Sequence, residues 1–433
     1  MAKIPAGVAK ELPARHATMA ETFRSLQFDP AESKSFYFVQ ISDSHIQPAE
    51  SDEKTRFPVQ WAAGYYRVTE DFQRILDEIN KLAPSPRFLI HTGDLTEEGW
   101  NPPIAVQLFE RAKGFLTGLK PSLTVKLIVG NHDAQPDLFQ KAFSSPPYYS
   151  FDVEGVHFIA LYTDGWGNLN HPGQKEWFVD DLEKSRGKEL VIFAHHPPTE
   201  IETQFETYTL RQQLEEILGR HWQGDCWYIC GHLHNNLLKK RTFSNVRMNM
   251  VSTANTFRQD RNRPAGYRLF CVTNNKIAAS VFKGLDEPFA IDPPASQWDE
   301  FKLAFEDLRH VLLIVRAPAD TKYLATNPAS RTWGNRRMVA NGKAIEYRIP
   351  LAQWKGRARS IALAAGGDFA AQISGDDGVW REFAPKACKG TIIVAVPLPP
   401  DLWSASEIRL RFEDGGLNPS YGFLIHGFAV MGD

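Results

Sequence analysis

Five short clusters of aspartate, asparagine and histidine occur in order within the first 234 residues of the chain. They read DSH at 43–45, GD at 93–94, GNHD at 130–133, HHPP at 195–198 and GHLH at 231–234. Imidazole, carboxylate and amide groups, with no thiolate among them, are ligands suited to Mn, Fe, Zn or Co. A single D-x-H or H-x-H string is more typical of a surface turn or a hydrogen-bonded polar pair. Five such clusters in one chain indicate a metal centre.

Each cluster comes directly after a short apolar run, and the runs lie at 36–41, 87–91, 124–129, 190–194 and 226–230. Runs this continuously apolar are typical of strands that helices cover on both faces. In α/β sheets, ligands collect beyond the carboxyl ends of the strands, so we expect the clusters to converge in space. Residues i and i+2 at a strand end point the same way, which lets Asp43 and His45 aim at one site, and likewise His232 and His234.

Segments with apolar residues at helical spacing separate these strands, at 68–82, 104–119, 174–184 and 208–218. Strand and helix in alternation predict an α/β fold with a largely parallel interior. Five further runs, at 149–152, 156–162, 247–252, 267–272 and 277–282, would add antiparallel pairs. The predicted architecture is a sandwich of two sheets flanked by helices.

The series DSH, GD, GNHD, HHPP and GHLH resembles the five-motif signature of the calcineurin-like metallophosphoesterases, over about residues 36–282. The resemblance implies a four-layer α/β/β/α sandwich with two metal ions at the strand ends. It implies a first metal held by Asp43, His45 and His234, a second held by Asn131, His195 and His232, and a bridging Asp94. A metal-bridging hydroxide would attack the phosphate ester, while His132 would stabilise or protonate the leaving oxygen.

Two neighbouring residues are expected to orient ligands. In the family, one residue separates the ligand histidine from the proline, which selects His195 over His196. Asp133 and His196 would then be hydrogen-bonding partners of the ligands. The identity of the two metal ions stays open among Mn, Fe, Zn and Co, because the ligand types suit each of them.

At several motif positions this chain differs from other branches of the family, and these differences reduce the number of reactions we expect it to catalyse. Purple acid phosphatases have glycine where His45 stands and a tyrosine ligand where Glu97 stands. Protein Ser/Thr phosphatases carry GDxVDRG where this chain reads GDLTEEG. The motifs are most similar to those of bacterial cyclic-nucleotide and glycerophosphodiester phosphodiesterases. We therefore expect a phosphodiesterase that acts on a small soluble phosphodiester.

Alternatives to this reaction remain open. The same metal set serves phosphomonoesterases, and non-catalytic scaffolds keep the fold, although scaffold members have typically lost ligands and every ligand position is filled here. Arg258 and Arg261 follow the last motif and could bind a distal phosphate of the substrate. The alternative is that both are solvated, as arginines in loops usually are.

A change of sequence texture divides the chain. We expect an N-terminal extension at 1–34, the metallophosphoesterase domain at 35–284, a linker with a short helix at 285–308, and a β-sandwich at 309–433. In the last segment, Ile408, Leu410 and Phe412 alternate with arginines, which is typical of a half-buried strand. This segment resembles galactose-binding-like jelly rolls through FAAQISGDDGVW at 369–380, which implies either glycan binding or a packing role.

The composition argues against several classes of protein. The net charge of −2 gives no general attraction to nucleic acid, and no segment has the ~18 to 20 apolar residues of a membrane span. The N-terminus lacks the apolar stretch of a secretory signal. The default expectation is a soluble cytoplasmic protein, with the mature form of an exported protein as the alternative. The four cysteines form no CxxC pair and are expected to be buried thiols.

Overall fold

The structure is a computed structural model of the chain. It describes residues 14–47, 68–97, 99, 102–165, 167–198, 206–258, 264–300, 311–315, 322–326, 330–333, 336–339, 343–367, 369–384, 391–414 and 423–432. The chain divides into two compact units, Met1–Pro197 with Gln213–Phe301, and Pro198–Gln212 with Lys302–Asp433. No helix in the described part of the chain is long and apolar enough to cross a membrane.

The first unit is built from helices and strands in alternation. Its helices are α1 (Met19–Ser25), α2 (Val68–Lys81), α3 (Pro102–Leu116), α4 (Pro136–Phe143), α5 (Gln174–Lys184) and, from Gln213 onward, α6 (Glu206–His221). Its strands are β1 (Arg15–His16), β2 (Ser35–Ile41), β3 (Phe88–His91), β4 (Thr124–Leu127), β5 (Tyr149–Val153), β6 (Val156–Ala160), β7 (Glu189–Phe193), β8 (Gly224–Cys230), β9 (Leu237–Phe243), β10 (Val246–Ser252), β11 (Gly266–Thr273), β12 (Lys276–Gly284) and β13 (Phe289–Ile291). The predicted helices correspond to α2, α3, α5 and α6.

Two sheets form the centre of this unit. The first has the order β1-β13-β12-β11-β2-β3-β4, and the second has the order β5-β6-β7-β8-β10-β9. The strands that precede the five motifs are parallel to one another within each sheet. Strands such as β9, β11 and β12 add antiparallel pairs. The predicted pair of sheets is present. The interior of the second sheet is parallel from β6 to β10, as predicted, whereas in the first sheet only β2, β3 and β4 run parallel and the other pairs are antiparallel.

Aromatic side chains fill the space between the two sheets. Phe38 of β2 stacks on Phe88 and Phe270 of its own sheet, with ring centroids 4.8 and 4.9 Å apart. It meets Phe158 and Phe193 of the second sheet edge-on at 5.5 and 5.8 Å. Complete burial of a phenylalanine stabilises a fold by about 2 kcal/mol. Because such interiors are close-packed, the paired sheets give the loops at their ends a stiff base.

Helices cover the outer face of the first sheet. Buried residues of α1, α2, α3 and α4 join those of the strands in a single cluster, to which these helices contribute Phe23, Phe72, Phe109 and Phe139. Neither α1 nor α4 was among the predicted helices, because each is short and offers few apolar positions at helical spacing.

Parts of the segments predicted to be an extension and a linker lie in the first unit, which continues to Phe301. Segment 1–34 contributes β1 and α1, and segment 285–308 contributes β13, which pairs with both β12 and β1. Pro288 and Pro293 flank β13 and give its sequence the character of a linker, although proline is compatible with strand ends. A single 3-10 turn, Ala295–Gln297, ends where the predicted short helix would begin; residues 301–308 lie outside the described part.

The described cysteines are buried thiols, as expected. Cys226, Cys230 and Cys271 are free and buried on β8 and β11, and burial raises the pKa of each thiol. A thiol kept protonated in an apolar setting is inert. Cys388 lies outside the described residues.

The second unit is all-β between residues 311 and 432, as far as the chain is described there. Its strands are β14 (Val311–Val315), β15 (Leu324–Thr326), β16 (Ser330–Trp333), β17 (Arg336–Val339), β18 (Ala344–Pro350), β19 (Ala358–Gly367), β20 (Phe369–Ser374), β21 (Arg381–Ala384), β22 (Thr391–Pro397), β23 (Glu407–Asp414) and β24 (Phe423–Gly432). One sheet has the order β16-β17-β24-β19-β22, with β14 also on β24, and the other has the order β15-β18-β23-β20-β21. Residues of both sheets, including Ile361, Leu410 and Phe428, share one apolar cluster.

Candidate metal centre

The five predicted motifs lie at the carboxyl ends of five strands. DSH follows β2, GD follows β3 and GNHD follows β4 in the first sheet, while HHPP follows β7 and GHLH follows β8 in the second. Backbone hydrogen bonds join neighbouring loops: the Asp43 N–H donates to the Gly93 carbonyl and the Gly231 N–H donates to the His195 carbonyl, each over 3.0 Å. Between the two sheets, the His232 N–H donates to Asp43 Oδ2 over 2.9 Å, so the structure brings together predicted ligands from both sheets.

Five of the seven predicted ligands have a left-handed backbone. The angle φ is 53° at Asp43, 45° at His45, 53° at Asp94, 69° at His232 and 51° at His234. Residues other than glycine adopt such angles rarely and at a cost of about 1 kcal/mol or more, so the surrounding structure must hold them there. This concentration of strained backbone at one end of the sheets indicates a functional site.

Two motif glycines allow the loops to approach one another closely. A Cβ atom at Gly130 would lie 2.1 Å from the Asp94 nitrogen, and one at Gly231 would lie 1.8 Å from Ser42 Oγ. Since neither position has room for a side chain, any larger residue would push the Asp94 or Asp43 loop out of place.

The first group of predicted ligands is Asp43, His45 and His234. His234 Nε2 lies 2.9 Å from His45 Nε2 and 3.4 Å from Asp43 Oδ1. Asp43 and His45 are buried and His234 is half-buried. One ligand atom from each of the three lies within 4.8 Å of the others, which is close enough for all three to bind one ion.

The second group contains Asn131, His195 and His232. Asn131 Oδ1 lies 2.9 Å from His195 Nε2 and 3.0 Å from His232 Nδ1. The two imidazole nitrogens are 3.3 Å apart. Asp94, His195 and His232 also offer ligand atoms within 4.8 Å of one another, so this group can hold a second ion with Asp94.

Asp94 lies between the two groups. Its Oδ2 is 3.1 Å from His195 Nε2 and 3.7 Å from His45 Nε2. Its Oδ1 accepts the backbone N–H of His132 over 2.7 Å, which fixes the plane of the carboxylate. A carboxylate in this position can contact an ion in each group, so its geometry suits the predicted bridging role.

Several of these polar atoms face one another as acceptors. The Nδ1–H of His195 donates to the Thr92 carbonyl over 2.9 Å, so Nε2 of the neutral ring carries a lone pair. This lone pair faces the oxygens of Asn131 and Asp94. Buried acceptors that meet in this way need a shared positive partner. A metal ion supplies it, and the donor set therefore fits a metal centre.

The carboxylates make the site attractive to positive charge. Burial lowers the pKa of His45 and of His195, but the Glu97 carboxylate beside His45 and the Asp94 carboxylate beside His195 outweigh it and raise both pKa values to about 9. Burial likewise raises the pKa of Asp94, but His195 and His132 outweigh it and hold that pKa well below its usual range. Metal ions would compete with these protons for the same ligand atoms.

Glu97 is a further candidate residue of the site that the five motifs do not include. Its carboxylate accepts the Nδ1–H of His45 over 2.5 Å, and its backbone carbonyl lies 2.9 Å from His132 Nδ1. A carboxylate behind a metal-ligating histidine fixes the tautomer and the ring orientation. Its position three residues after Asp94 was the available signal, but only the fold reveals that it contacts two different motifs.

The two residues predicted to orient ligands lie behind them. The Asp133 carboxylate accepts the backbone N–H groups of Leu95, Thr96 and Gly130. Burial and the neighbouring Asp94 raise the pKa of Asp133 to about 6. Neither Asp133 nor the buried His196 belongs to a group of described residues that could hold an ion.

His196 contacts the second ligand group from behind. Its Nδ1 lies 2.8 Å from the Thr163 hydroxyl, and its ring lies 4.3 Å from the ring of His232. Its backbone carbonyl accepts the hydroxyl of Tyr228 over 2.8 Å. His196 is therefore fixed on three sides beside a predicted ligand.

His132 is more exposed than three of the predicted histidine ligands. Its side chain is 29% exposed, compared with 18% for His234, 4% for His45 and 0% for His195. The two rings of His45 and His132 meet edge-on with centroids 4.7 Å apart. His132 also forms a possible metal-binding group with His45 and Asp94, so proximity alone does not separate it from the ligands.

Of the two arginines predicted to bind substrate, only Arg258 is described. Its guanidinium pairs with Asp286, and its backbone N–H donates to Asp71 Oδ2 over 3.2 Å. Its neighbour Phe257 lies with its ring 6.0 Å from that of His45 and 6.1 Å from that of His234. The loop that carries Arg258 thus borders the first ligand group. Arg261 lies outside the described residues.

Comparisons with known proteins agree with this geometry. Residues 36–236 match the model of the calcineurin-like phosphoesterase family. The chain is 28% identical over 211 residues to the probable glycerophosphodiester phosphodiesterase of Arcobacter nitrofigilis, covering 45% of this chain and 71% of that protein. It is 26% identical over 292 residues to the human serine/threonine-protein phosphatase CPPED1, covering 61% of this chain and 90% of that protein.

A third relative and one solved structure are also similar to this chain. The chain is 23% identical over 211 residues to a 3',5'-cyclic-nucleotide phosphodiesterase of a Nostoc species, covering 47% of this chain and 73% of that protein. A dimetal phosphatase from Danio rerio aligns with a TM-score of 0.44 and 14% identity, over 60% of this chain and 99% of that one. Residues 36–236, a little under half of the chain, are thus similar to the calcineurin-like phosphoesterases.

Proposed function

We propose that this protein is a phosphodiesterase that uses two metal ions to hydrolyse a small soluble phosphodiester. The first ion would be held by Asp43, His45 and His234, the second by Asn131, His195 and His232, with Asp94 shared. The observation that carries the proposal is the position of the Asp94 carboxylate, 3.1 Å from His195 and 3.7 Å from His45. Mn, Fe, Zn and Co all suit this donor set.

Two bound ions would stabilise charge on the phosphoryl oxygens and lower the pKa of a water molecule that they share. The protein itself supplies the orientation of the ligands. His45 is turned by Glu97, and His195 is turned by the Thr92 carbonyl, so that in each ring Nε2 points into the site. Because these hydrogen bonds are buried, the ligand atoms are arranged before a substrate arrives.

His132 is the proposed proton donor to the leaving oxygen. Its Nδ1 is held by the Glu97 carbonyl and its backbone by Asp94, so the ring is fixed relative to the bridging carboxylate. Its partial exposure is what a group that must meet substrate requires. In this role Nε2–H donates to the oxygen that leaves phosphorus, and the ring recovers its proton from solvent.

The relatives support a diester substrate but also a second candidate. Two of them are named as phosphodiesterases of glycerophosphodiesters and of cyclic nucleotides. The human relative, which aligns over 90% of its length, is named a serine/threonine-protein phosphatase, and this favours a phosphomonoesterase as the alternative. We propose the diester because the departures at His45 and in GDLTEEG separate this chain from the purple acid phosphatases and from the protein phosphatases that carry GDxVDRG.

The experiment that tests the proposed function combines metal analysis with a pair of substrates. Full-length protein should contain two equivalents of metal and should cleave bis(p-nitrophenyl) phosphate with a higher kcat/KM than p-nitrophenyl phosphate. Removal of the metal with a chelator should abolish both activities, and added Mn²⁺ or Zn²⁺ should restore them. A preference for the monoester would favour the phosphatase, and metal-free protein with full activity would contradict the proposal.

For the C-terminal β-strands, we propose a galactose-binding-like module. The support is the arrangement of two antiparallel sheets around one core and the sequence likeness at 369–380. A glycan array probed with full-length protein tests whether the module binds sugar. Binding of a sugar that free galactose or a related monosaccharide competes away would support a targeting role, and an absence of binding would leave packing as its role.

A further inference from the structure

Arg268 is a charged residue buried in the core of the first unit, with 1% of its side chain exposed. It lies on β11 directly opposite Gln40 of β2. Because alternate side chains of a strand share a face, it points the same way as Phe270, toward the second sheet. Burying a guanidinium costs several kcal/mol unless its donors are paired, so its partners must be well organised.

Each group of the Arg268 guanidinium has an acceptor. Nη1 pairs with Asp292 Oδ2, Nη2 donates to Asn236 Oδ1 over 3.0 Å, and Nε donates to Thr253 Oγ1 over 3.1 Å. Asp292 also accepts the hydroxyl of Ser280 over 2.5 Å. The ion pair is therefore the centre of a polar network inside an otherwise apolar core.

From Thr253 the network continues to a predicted metal ligand. The Thr253 hydroxyl donates to Gln40 Oε1 over 2.6 Å, and Gln40 Nε2 donates to both Thr92 Oγ1 and the Cys230 carbonyl over 2.9 Å. The Thr92 carbonyl accepts the Nδ1–H of His195. An unbroken chain of contacts thus runs from Asp292 to the imidazole of His195.

The network also contacts the loops of other motifs. Gln40 lies just before DSH, Thr92 just before GD, and Cys230 just before GHLH. Asn236 comes just after GHLH, and its Oδ1 accepts the N–H of Ala254 over 3.2 Å in addition to Arg268. The network therefore reaches four of the five motifs. Thr92 and Cys230 are adjacent to GD and GHLH, Gln40 lies three residues before Asp43, and His195 is itself the first residue of HHPP.

We propose that Arg268 and Thr253 are positioning residues for the metal ligands, and that the network from Asp292 to His195 sets the geometry of the second ligand group. This inference rests on the proposed function, because it concerns ligands of the metal ions. It assigns a part in metal binding to Asp292, which lies beyond β13 and far in sequence from every motif. Loss of a hydrogen bond that orients a metal ligand typically lowers metal affinity 10- to 100-fold. Loss of a purely structural contact would not have this effect.

The decisive variant is Thr253→Val, which removes the link to Gln40 and leaves the Arg268–Asp292 pair in place. Its matched control is Thr22→Val, since Thr22 is equally buried and its hydroxyl donates to the Thr18 carbonyl in α1. Chelator-stripped full-length proteins are titrated with Mn²⁺ and with Zn²⁺ by calorimetry, and the Tm of each metal-free protein is measured.

We expect Thr253→Val to bind metal about 10-fold or more weakly at one site. The control Thr22→Val should lose a comparable amount of Tm but keep the metal affinity of the wild type. Thr253→Ser, which keeps the hydroxyl, should restore the affinity. If Thr253→Val does not fold, Asp292→Asn keeps an acceptor for Arg268 without the charge and should show the same direction of change.

The possible failures are distinguishable. Wild-type protein that binds two metals and cleaves a diester, together with a Thr253→Val variant of unchanged affinity, would overturn the positioning role and leave the proposed function intact. Wild-type protein that binds neither Mn²⁺ nor Zn²⁺ would overturn both. Equal losses of affinity in Thr253→Val and Thr22→Val would assign the network to general stability and would also overturn the positioning role.

Discussion

The two ends of the sheet sandwich in the first unit use charged residues in opposite ways. At the carboxyl ends of the parallel strands, buried oxygens and imidazole nitrogens face one another around Asp94. At the amino ends of β7, β8 and β10 lies a cleft of about 670 Å³ lined largely by polar residues. There, each of four cations has a carboxylate partner, in the pairs Arg186–Glu183, Lys188–Asp152, Arg220–Glu216 and Arg247–Asp225.

This difference shows what distinguishes a reactive site from a polar cleft. At the amino ends the charges are balanced within the protein, and exposed ion pairs of this kind contribute about 0–1 kcal/mol each. At the carboxyl ends the buried acceptors are balanced by a bound cation, either protons on His45 and His195 or metal ions in their place. Excess buried acceptor groups, and not the volume of a cleft, lead us to place the proposed metal site at the carboxyl ends.

The largest effect should come from removing the shared carboxylate. Asp94→Asn loses the charge between the two ligand groups, so metal content should fall and hydrolysis of bis(p-nitrophenyl) phosphate should drop to background. Circular dichroism should stay that of a folded protein. Asp225→Asn, which changes an exposed carboxylate at the amino ends, is the control and should keep both metals and activity. Two metals and normal turnover in Asp94→Asn would refute the assignment.

A smaller effect should follow from His132→Ala. If His132 protonates the leaving oxygen, kcat should fall by roughly 10² or more while metal content stays near two equivalents. His221→Ala is a matched control, because His221 has a similar side-chain exposure of 31% and lies in the opposite cleft. Loss of metal in His132→Ala would make His132 a ligand.

Glu97→Gln tests the carboxylate that orients the predicted ligand His45. The amide keeps the size of the side chain but removes the charge behind His45, so metal affinity should fall about 10-fold to 100-fold. The effect is read from a Zn²⁺ titration of metal-free protein. Glu183→Gln at the opposite end should leave the affinity unchanged, and an equal change in both variants would mean that the effect is unspecific.

The smallest effect concerns pH and stability away from the site. His157 hydrogen-bonds to Asp152 at 2.8 Å and to Asp181 at 2.9 Å. Burial lowers its pKa, but the hydrogen bonds to Asp181 and Asp152 outweigh it and raise the pKa above the usual value. Because the folded pKa is the higher one, the stabilisation is complete below a pH of about 6.5 and is lost as pH rises through the folded pKa.

The corresponding test compares wild type with His157→Gln in urea across pH 5.5 to 9. At pH 5.5 the variant should be less stable by about 2 kcal/mol, the scale of hydrogen bonds to charged groups, and the difference should shrink as pH rises. A difference in free energy of unfolding that grows with pH would show that the pKa of His157 is lowered instead.

The site residues that could be predicted are those whose identity is encoded in a local sequence pattern. The strands before the motifs combine an apolar run with ligand-type residues at its end, so strand and candidate ligand could be identified together. The structure brings those ligands together. Glu97 could not be assigned from sequence, because its role depends on contact between two loops that no local pattern encodes.

The fold shows the same division. α5 has the same bounds as its predicted segment because its apolar residues repeat at helical spacing. β1 and β13 were missed because each is too short to show a period and is stabilised only by its partner. The position of Arg268 opposite Gln40 depends on the register of β11 against β2, and composition carries no information about register.

The pairing of β1 with β13 also orders events during synthesis. The ribosome releases the chain from its N-terminus, so Arg15 and His16 emerge long before Phe289 and Ala290, with which they pair. A nascent chain that ends just before β13 already contains every predicted ligand. It still lacks Asp292, the partner of Arg268, so the sheet edge and the support for the ligand loops are completed at the same late moment.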